Sequence, residues 1–337
     1  MRLPDWIEDA KVVLITPLNW GLGHATRCIP IIRQLIVEGK KVILASDGQA
    51  SQLLLKEFPL LTHEVLPAYN IHYKYSSMTV NVMLQSGKIF NAIRSEKKET
   101  ARLIKLYGVD TIISDNRYGV FHNNCKNVII CHQIRIPHPV GLISRMATMI
   151  NTKLINRFNE CWIPDFEGHE SISGKLSGST RVRKAHYLGP LSRFRKIIHP
   201  IKRKWLIILS GPEPARTRLE EKLLHIMDGE DYLMIRGLPG RPHMEDSKRI
   251  NFLSTETLNE IIAESEWVIC RSGYTSIMDL WHLDQKAILI PTPGQGEQEY
   301  LAKWISRKRP DQFKWVSENK LETIFSSCVS KRSKEDD

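Results

Sequence analysis

The sequence has neither a long apolar run nor a paired-cysteine motif. No apolar segment approaches the length that crosses a bilayer, and the N-terminus lacks the basic head and apolar stretch of a signal peptide. The six cysteines form no Cys-x-x-Cys pair, and Cys131 and Cys270 lie in apolar stretches. These absences predict buried, reduced thiols and argue against a disulfide framework or a metal site. We therefore expect a cytoplasmic protein without a bound metal.

Acidic residues are scarce in the first part of the chain. Residues 1–200 contain 27 Lys and Arg against 15 Asp and Glu, whereas the remainder contains 21 against 22. The formal net charge of +11 therefore comes from the first part. A basic surface attracts nucleic acid, anionic lipid or an anionic substrate, and a solvated surface without a partner fits equally well. Because no nucleic-acid recognition module accompanies the charge, we expect no nucleic-acid partner.

Short apolar segments alternate with amphipathic ones along the chain. Apolar runs typical of buried strands occupy residues 12–16, 41–46, 111–115, 128–132, 161–164, 205–210, 232–236, 268–271 and 287–291. Helical periodicity marks residues 25–38, 214–227, 257–264, 274–283 and 297–307. Strands that alternate with helices predict parallel sheets covered by helices.

The alternation restarts in the middle of the chain, after Gly189 and Pro190. We therefore predict an α/β protein of two Rossmann-like domains, over residues 1–195 and 196–328, followed by a polar tail at 329–337. The basic stretch that ends at Pro200 is the predicted hinge. Ligands of open parallel sheets lie at the carboxyl ends of the strands, so the site is predicted in a cleft between two such edges.

The loop after the first strand contains Gly21, Gly23 and His24. Two glycines allow a tight turn, and the positive end of the following helix disfavours a protonated imidazole. A neutral His24 beside a cleft is a candidate general base. The loop also approximates a dinucleotide fingerprint with Asp47 as the ribose ligand, although Thr26 replaces its third glycine. A structural turn with an incidental histidine is the other alternative.

Two further loops in the second half also run from a strand into a helix start. One contains Arg271, Ser272 and Gly273, where backbone amides suit a phosphate, with Asp279 two turns into the helix. The other places Gln298 and Glu299 at a helix start, where their side chains suit a polyhydroxylated ligand. A capped helix with solvated polar groups explains each loop alone. Their recurrence at strand ends favours a ligand site.

These three elements together resemble glycosyltransferase family 28, whose best-known member adds N-acetylglucosamine to the lipid-linked peptidoglycan precursor. The resemblance runs in order over residues 11–310 and comprises Gly-x-Gly-His, the Arg-Ser-Gly helix start and the Pro-rich loop with Gln and Glu. It implies the GT-B fold, in which two Rossmann-like domains face each other across a cleft. It also implies metal-independent, inverting transfer of a sugar from a UDP-sugar, with no cofactor besides that co-substrate.

The resemblance assigns roles to individual residues. It implies that Asp279 binds the ribose, that the Leu253 backbone meets uracil, and that Gln298 and Glu299 hold the donor sugar. The remaining residues that it implies around the phosphates or the acceptor are Gly21, Gly23, Arg27, Arg193, Ser210, Gly211, Arg271, Ser272 and Gly273.

A second resemblance points to a different reaction. The Gly-x-Gly-His-x-x-Arg element, with Asp115 after a later strand, is similar to UDP-sugar hydrolases of nonulosonic acid synthesis. Those enzymes use water as the acceptor, which would make His24 the base and Asp115 its orienting partner. Helix capping is the alternative for Asp115. Transfer, hydrolysis and nucleotide-sugar binding without catalysis therefore stay open.

In family 28 the first half of the chain binds the acceptor, which is often lipid-linked, at the cytoplasmic face of the membrane. Residues 141–158 place Ile143, Met146, Ile150 and Leu154 at helical spacing among basic residues. Such a helix either packs its apolar face on the sheet, which we favour, or lies on anionic lipid. The expected partners are a UDP-sugar donor and a glycan or lipid-linked acceptor, and peripheral membrane contact stays a hypothesis.

Overall fold

Two separate parallel sheets, each flanked by helices, make up the computed structural model, which describes residues 3–69, 85–138, 140–178, 181–241 and 246–321. The first sheet has the order β3-β2-β1-β4-β5-β6-β7. Its strands are β1 (Val12–Pro17), β2 (Lys41–Ser46), β3 (Thr62–Val65), β4 (Thr111–Asp115), β5 (Lys126–Ile130), β6 (Glu160–Ile163) and β7 (Ala185–Tyr187). Cys328 and the predicted tail lie outside the described residues.

The second sheet has the order β10-β9-β8-β11-β12-β13. Its strands are β8 (Arg203–Ile208), β9 (Tyr232–Ile235), β10 (Arg249–Ile250), β11 (Ser265–Arg271), β12 (Ala287–Ile290) and β13 (Phe313–Trp315). The strand order reverses at β1 and β4 in the first sheet and at β8 and β11 in the second. A crevice opens at each reversal, at the carboxyl ends of those strands.

Eight α-helices in the described part of the chain surround the sheets. They are α1 (Gly23–Val37), α2 (Gly48–Glu57), α3 (Ser86–Tyr107), α4 (Gly141–Ile155), α5 (Ala215–Ile226), α6 (Thr255–Ala263), α7 (Tyr274–Leu283) and α8 (Gly296–Lys308). None of the helices in the described ranges is long and apolar enough to cross a bilayer. The five cysteines within those ranges are free and buried, which confirms the prediction of buried thiols.

The predicted α/β class with two Rossmann-like sheets is confirmed. The central strands were predictable because both faces are buried; Val13, Leu14 and Ile15 of β1 are fully inaccessible. The short edge strands β3, β7, β10 and β13 have partly exposed residues and were not predicted. The sheets separate between Tyr187 and Arg203, and the domain boundary at residues 195 and 196 stays a prediction.

The expectation that α4 packs its apolar face on the sheet is wrong. Met146 and Ile150 are more than half exposed, whereas Asn151 is buried. The Asn151 amide donates to the backbone oxygens of Gln133 and Ile134, both at 3.0 Å. The helix therefore docks through its polar side onto the loop after β5, because that side satisfies backbone groups that would otherwise be buried unpaired.

A buried guanidinium holds the loops at the carboxyl edge of the first sheet together. Arg117 is inaccessible to solvent, pairs with Asp47, and donates to Glu96 at 2.8 Å and to the Pro17 oxygen at 3.0 Å. Burial raises the pKa of Glu96, and Arg117 offsets part of this increase. Asp47 is thus engaged within the protein by Arg117 and, at 3.0 Å, by the Asn19 amide. This arrangement argues against the dinucleotide alternative, which needs the carboxylate for a ribose.

Replacing Arg117 with methionine is expected to lower the free energy of unfolding by about 3–5 kcal/mol, because two buried carboxylates lose their counter-charge. The additional change Glu96→Gln should recover part of this loss. Urea denaturation measures both effects. Arg102→Met is the matched control, since Arg102 pairs with Glu64 and Glu99 on the surface and should cost at most about 1 kcal/mol. Equal losses of unfolding free energy in Arg117→Met and Arg102→Met would contradict the assignment of Arg117 as the buried counter-charge.

Candidate active site

The switch point of the first sheet brings His24 and Asp115 together. Asp115 ends β4 and is inaccessible to solvent, while His24 lies in the first turn of α1, which follows β1. The distance from His24 Nδ1 to Asp115 Oδ1 is 2.7 Å. Arg27 Nη2 lies 2.8 Å from the same Nδ1 atom, but it already donates to Asp115 Oδ1. Because the carboxylate only accepts, we place the ring proton on Nδ1, which donates it to Asp115, and Nε2 is left with its lone pair. No side chain in the described part of the chain bonds to Nε2, so this nitrogen is available as a base.

Arg27 lies one helical turn beyond His24 and holds the other side of the carboxylate. Its Nε and Nη2 atoms both donate to Asp115 in a bidentate pair, and its side chain is 1% exposed. The resemblance implied a place for Arg27 near the phosphates or the acceptor. The structure instead places its guanidinium beneath the site, where Asp115 already engages it.

The electrostatics of this pair favour a neutral base beside an ionised carboxylate. Burial lowers the pKa of His24, and Asp115 offsets only part of that effect. Burial by itself raises the pKa of Asp115, but Arg27 and His24 outweigh it and hold that pKa below its ordinary value. His24 is therefore deprotonated at neutral pH while Asp115 stays charged, which is the state that general-base chemistry requires.

The starts of α1 and α7 meet between the two domains. The Thr275 hydroxyl donates to the Gly23 carbonyl at 3.1 Å. A Cβ atom on Gly23 would lie 2.9 Å from that hydroxyl oxygen, so the close approach requires glycine. Neither helix has a side-chain cap at its N-terminus. Two positive helix ends thus lie beside His24, an arrangement suited to an anionic ligand.

The loop after β11 is built on two buried residues. The Arg271 guanidinium donates to Glu318 at 2.7 Å, and its remaining contacts are backbone oxygens. The Ser272 hydroxyl donates to the backbone oxygen of Gln298 at 2.9 Å. Both residues tie the loop to its surroundings, and Gly273 directly precedes α7. The backbone amides of this loop are the groups that the structure leaves for a phosphate.

The loop before α8 is held by its own polar side chains. The Gln298 side chain accepts from Thr292 N at 2.9 Å and donates to Gln295 at 2.7 Å. The Glu299 carboxylate accepts from Gly294 N at 3.2 Å. Both residues predicted to hold the donor sugar are half-buried at the start of α8, where they also fix the shape of the loop.

The segment between the sheets contacts α7 through Asp279. The Ser192 hydroxyl donates to this carboxylate at 2.7 Å, and the side chain is 7% exposed. The neighbouring Arg193 is half-buried, and its Nε atom has no hydrogen-bond partner in the described part of the chain. Burial lowers the pKa of Arg193, with Asp279 opposing the change. A buried guanidinium nitrogen without a partner suits an anionic ligand.

The remaining predicted site residues follow strands of the two sheets. Ser210 and Gly211 follow β8 at the second switch point, and Gly211 has φ +103°, a conformation that favours glycine. Leu253 is partly buried between β10 and α6. Gly21 lies in the turn before α1. All of these are at carboxyl ends of strands, as predicted, and their contacts with a ligand stay predictions.

His132 and its partner Glu297, which the sequence analysis did not select, complete the site. His132 follows β5 and is 6% exposed; its Nδ1 atom lies 2.9 Å from Arg27 Nη1, and its Nε2 atom lies 2.8 Å from Glu297 Oε1. His132 was missed because the apolar run was extended to residue 132, whereas β5 ends at Ile130. The search for polar residues after strand ends finds it once the strand end is correct.

Comparison with known protein families finds a match in the second domain. Residues 210–320 match the glycosyltransferase family 28 C-terminal domain. This part of the chain is similar to family 28 glycosyltransferases. The resemblance predicted from the loops after β11 and β12 is confirmed, because both loops lie inside the matched residues.

Proteins that are similar over most of the chain agree with this match. An uncharacterized glycosyltransferase of Methanosarcina mazei is 22% identical over 313 residues, covering 85% of this chain and 81% of that protein. Phytolacca americana UGT2, solved with UDP-2fluoro-glucose and pterostilbene, has a TM-score of 0.60 at 13% identity over 97% of this chain and 89% of that chain. MurG of Acinetobacter baumannii has a TM-score of 0.53 at 13% identity over 94% and 90%. The predicted GT-B fold is thereby confirmed.

The buried carboxylate of Asp279 gives a pH-dependent prediction. Burial raises its pKa from 3.8 to about 6, with Arg193 and Ser192 opposing the change. The folded chain therefore retains a proton that the unfolded chain releases, and this residue's contribution to stability falls as the pH rises from about 4 to 6. Asp279→Asn removes that loss. The free energy of unfolding of the variant, taken relative to wild type, should therefore increase by roughly 2–3 kcal/mol between pH 4 and pH 7.

Thermal unfolding of both proteins across this pH range measures the difference. Asp284→Asn is the control, because Asp284 ends the same helix and a hydrogen bond from Lys196 lowers its pKa. The free energy of unfolding of Asp284→Asn, taken relative to wild type, should instead decrease as the pH rises. A difference between wild type and Asp279→Asn that is independent of pH would contradict the assignment.

Proposed function

We propose that this GT-B glycosyltransferase transfers a sugar from a UDP-sugar to an acceptor hydroxyl with inversion at the anomeric carbon. The observation that carries the proposal is the His24–Asp115 pair, which lies where the starts of α1 and α7 meet. His24 Nε2 takes the acceptor proton as the hydroxyl oxygen attacks the anomeric carbon. The bond to UDP breaks on the opposite face, so a single displacement inverts the configuration.

The second domain provides the groups that stabilise the departing UDP. Negative charge develops on the diphosphate, and the start of α7 at Ser272 and Gly273 directs backbone amides into the cleft. The Ser210–Gly211 turn adds further donors, as does Arg193, whose Nε atom has no hydrogen-bond partner among the described residues. Fixed donors and helix ends stabilise developing charge without a bound metal ion. The match to the family 28 domain supports this placement of the donor.

A UDP-sugar is the donor that the comparisons favour. The similar Phytolacca americana UGT2 was solved with UDP-2fluoro-glucose. In this chain Asp279 is proposed at the ribose, Leu253 at the uracil, and Gln298 and Glu299 at the sugar. The sequence resemblance to the peptidoglycan enzyme favours an N-acetylhexosamine as that sugar.

A lipid-linked acceptor fits the outer surface of the first domain. Leu142, Met146, Met149 and Ile150 of α4 are each more than half exposed. Exposed Arg145 and Lys153 lie on the same helix, and exposed Arg157 follows its end. We propose that this apolar and basic surface of α4 contacts anionic lipid at the cytoplasmic face of a membrane, because the apolar side chains enter the interface while the cations pair with headgroups.

The long helix α3 extends that basic surface. Lys97 lies 5.3 Å from the centre of the Phe121 ring, and Arg157, two residues after α4, lies 4.3 Å from the same ring. Phe90 of α3 is 67% exposed. Two cations, one on α3 and one just after α4, therefore lie around one aromatic ring near the apolar side chains of α4. This complementarity to an anionic surface supports a membrane as the partner.

The base assignment predicts distinct effects for its two members. His24→Ala should lower kcat by roughly 10²–10⁴, because proton removal is lost. Asp115→Asn should lower kcat and also move the acidic limb of the pH profile to lower pH, because the carboxylate raises the pKa of His24. UDP release from a panel of UDP-sugars, with and without a membrane lipid extract, measures both changes.

His169→Ala is the control for these variants, because His169 lies exposed in the short 3₁₀ helix Gly168–Glu170. Release that requires the extract identifies a transferase with a lipid acceptor. Equal release with and without it would instead establish a hydrolase. UDP-sugar binding without release in wild type would contradict catalysis altogether.

The lipid surface predicts sedimentation with vesicles. Wild-type protein should bind vesicles that contain phosphatidylglycerol more tightly than phosphatidylcholine vesicles, and added salt should weaken the binding. Arg145→Gln with Lys153→Gln should reduce binding roughly 30-fold, at about 1 kcal/mol per charge. Met146→Glu should also reduce it. Leu60→Glu, at an exposed apolar residue outside α4, is the matched control. Equal binding by all variants would contradict the proposal.

A further inference from the structure

His132 connects the catalytic pair to the second domain. It lies in the loop after β5 of the first domain, and its partner Glu297 lies in the first turn of α8 of the second domain. The Nε2–Oε1 distance between them is 2.8 Å. On its other side, His132 Nδ1 lies 2.9 Å from Arg27 Nη1. A nearly inaccessible imidazole thus links two groups that belong to different domains.

The partners of His132 fix its tautomer. A guanidinium has donors only, so His132 Nδ1 must accept from Arg27 and cannot carry a proton. The ring proton is then on Nε2, where it is donated to the carboxylate of Glu297. Each nitrogen therefore has one role, and the hydrogen bond that crosses between the domains determines which nitrogen accepts from Arg27.

The second domain also fixes the plane of this ring. The ring of Tyr274 stacks on His132 with centroids 4.2 Å apart and an interplanar angle of 6°. Tyr274 is the first residue of α7, and its hydroxyl donates to the backbone oxygen of Pro164 in the first domain. The orientation of His132 consequently depends on α7 as well as on α8, and both helices belong to the second domain.

The planar guanidinium of Arg27 links the orientation of His132 to that of His24. Arg27 uses Nε and Nη2 for Asp115 and Nη1 for His132, and Nη2 also lies 2.8 Å from His24 Nδ1. Because these nitrogens are coplanar, the bond to His132 fixes the plane in which Arg27 holds the carboxylate. Asp115 in turn orients His24 through the 2.7 Å contact. The series Glu297, His132, Arg27, Asp115 and His24 is therefore continuous across the cleft.

We propose that His132 is a positioning residue that couples closure of the two domains to the orientation of the general base. Glu297 and Tyr274 hold the imidazole when the domains are together, and Arg27 then fixes Asp115 and His24. When the domains separate, His132 loses both contacts and the base loses its support. This inference rests on the proposed function, in which His24 is the base.

Three substitutions at His132 and Glu297 test the coupling. His132→Phe keeps a ring on Tyr274 but removes both hydrogen bonds, and it should lower kcat at least about tenfold. The KM for the UDP-sugar should stay within about twofold, since the group acts through the base. His132→Gln keeps one acceptor and one donor and should recover part of kcat. Glu297→Ala should cost much less kcat in the His132→Phe background than in wild type.

Tyr300→Phe provides the matched control. The Tyr300 hydroxyl accepts from Lys175 N at 2.9 Å, a contact between the domains that does not reach Arg27. This variant should keep the wild-type kcat. An equal loss of kcat in Tyr300→Phe and His132→Phe would overturn the proposal, because it would show that any weakening of the interface has the same effect.

The failure of this inference is distinguishable from the failure of the proposed function. If His24→Ala keeps its activity, the base assignment is wrong and the coupling falls with it. If His24→Ala is inactive while His132→Phe has the wild-type kcat, only the coupling is overturned. A His132→Phe protein whose UDP-sugar KM rises while kcat is unchanged would also overturn it, since that result assigns His132 to donor binding.

Discussion

The candidate site depends on keeping one ionised carboxylate, Asp115, in the interior of the protein. An unpaired buried carboxylate costs several kcal/mol and normally takes up a proton instead. Arg27 prevents this by donating two hydrogen bonds from α1, the same helix that carries His24. The pair therefore fixes α1 against β4 and keeps the charge that orients the imidazole. The contact between Arg27 and Asp115 therefore contributes both to the stability of the fold and to the orientation of His24.

The fold explains why such a site forms between two domains. Each sheet reverses its strand order once, and the reversal places two loops and a helix start at one edge. In the first domain these carry His24 and Asp115; in the second they carry Ser210 and Ser272. The contact between Gly23 and Thr275 brings the two edges together. The candidate base thus lies in the first domain, and the candidate phosphate loops with Ser210 and Ser272 lie in the second.

Much of this arrangement was predictable from the sequence. Fully buried strands give uninterrupted apolar runs, so the central strands and the loops after them were located to within a few residues. The edge strands were missed because they are short and half exposed. The apolar side of α4 was predicted to pack on the sheet, but it faces outward. Periodicity shows that a helix has an apolar side but not which side meets the sheet. Only the hydrogen bonds of Asn151 with the loop after β5 reveal that.

The sequence by itself determined the class of fold, the order of the ligand loops and the pairing of His24 with Asp115 as a candidate. The fold class and the loops follow from local patterns, since strand periodicity, glycine turns and helix starts depend on neighbouring residues. The pairing of His24 with Asp115 was implied by the resemblance to UDP-sugar hydrolases. The tertiary structure alone decided that Arg27 lies beneath the site and that His132 reaches Glu297, 165 positions away in the sequence. Contacts between distant residues depend on how the two domains pack, and no local pattern encodes that packing.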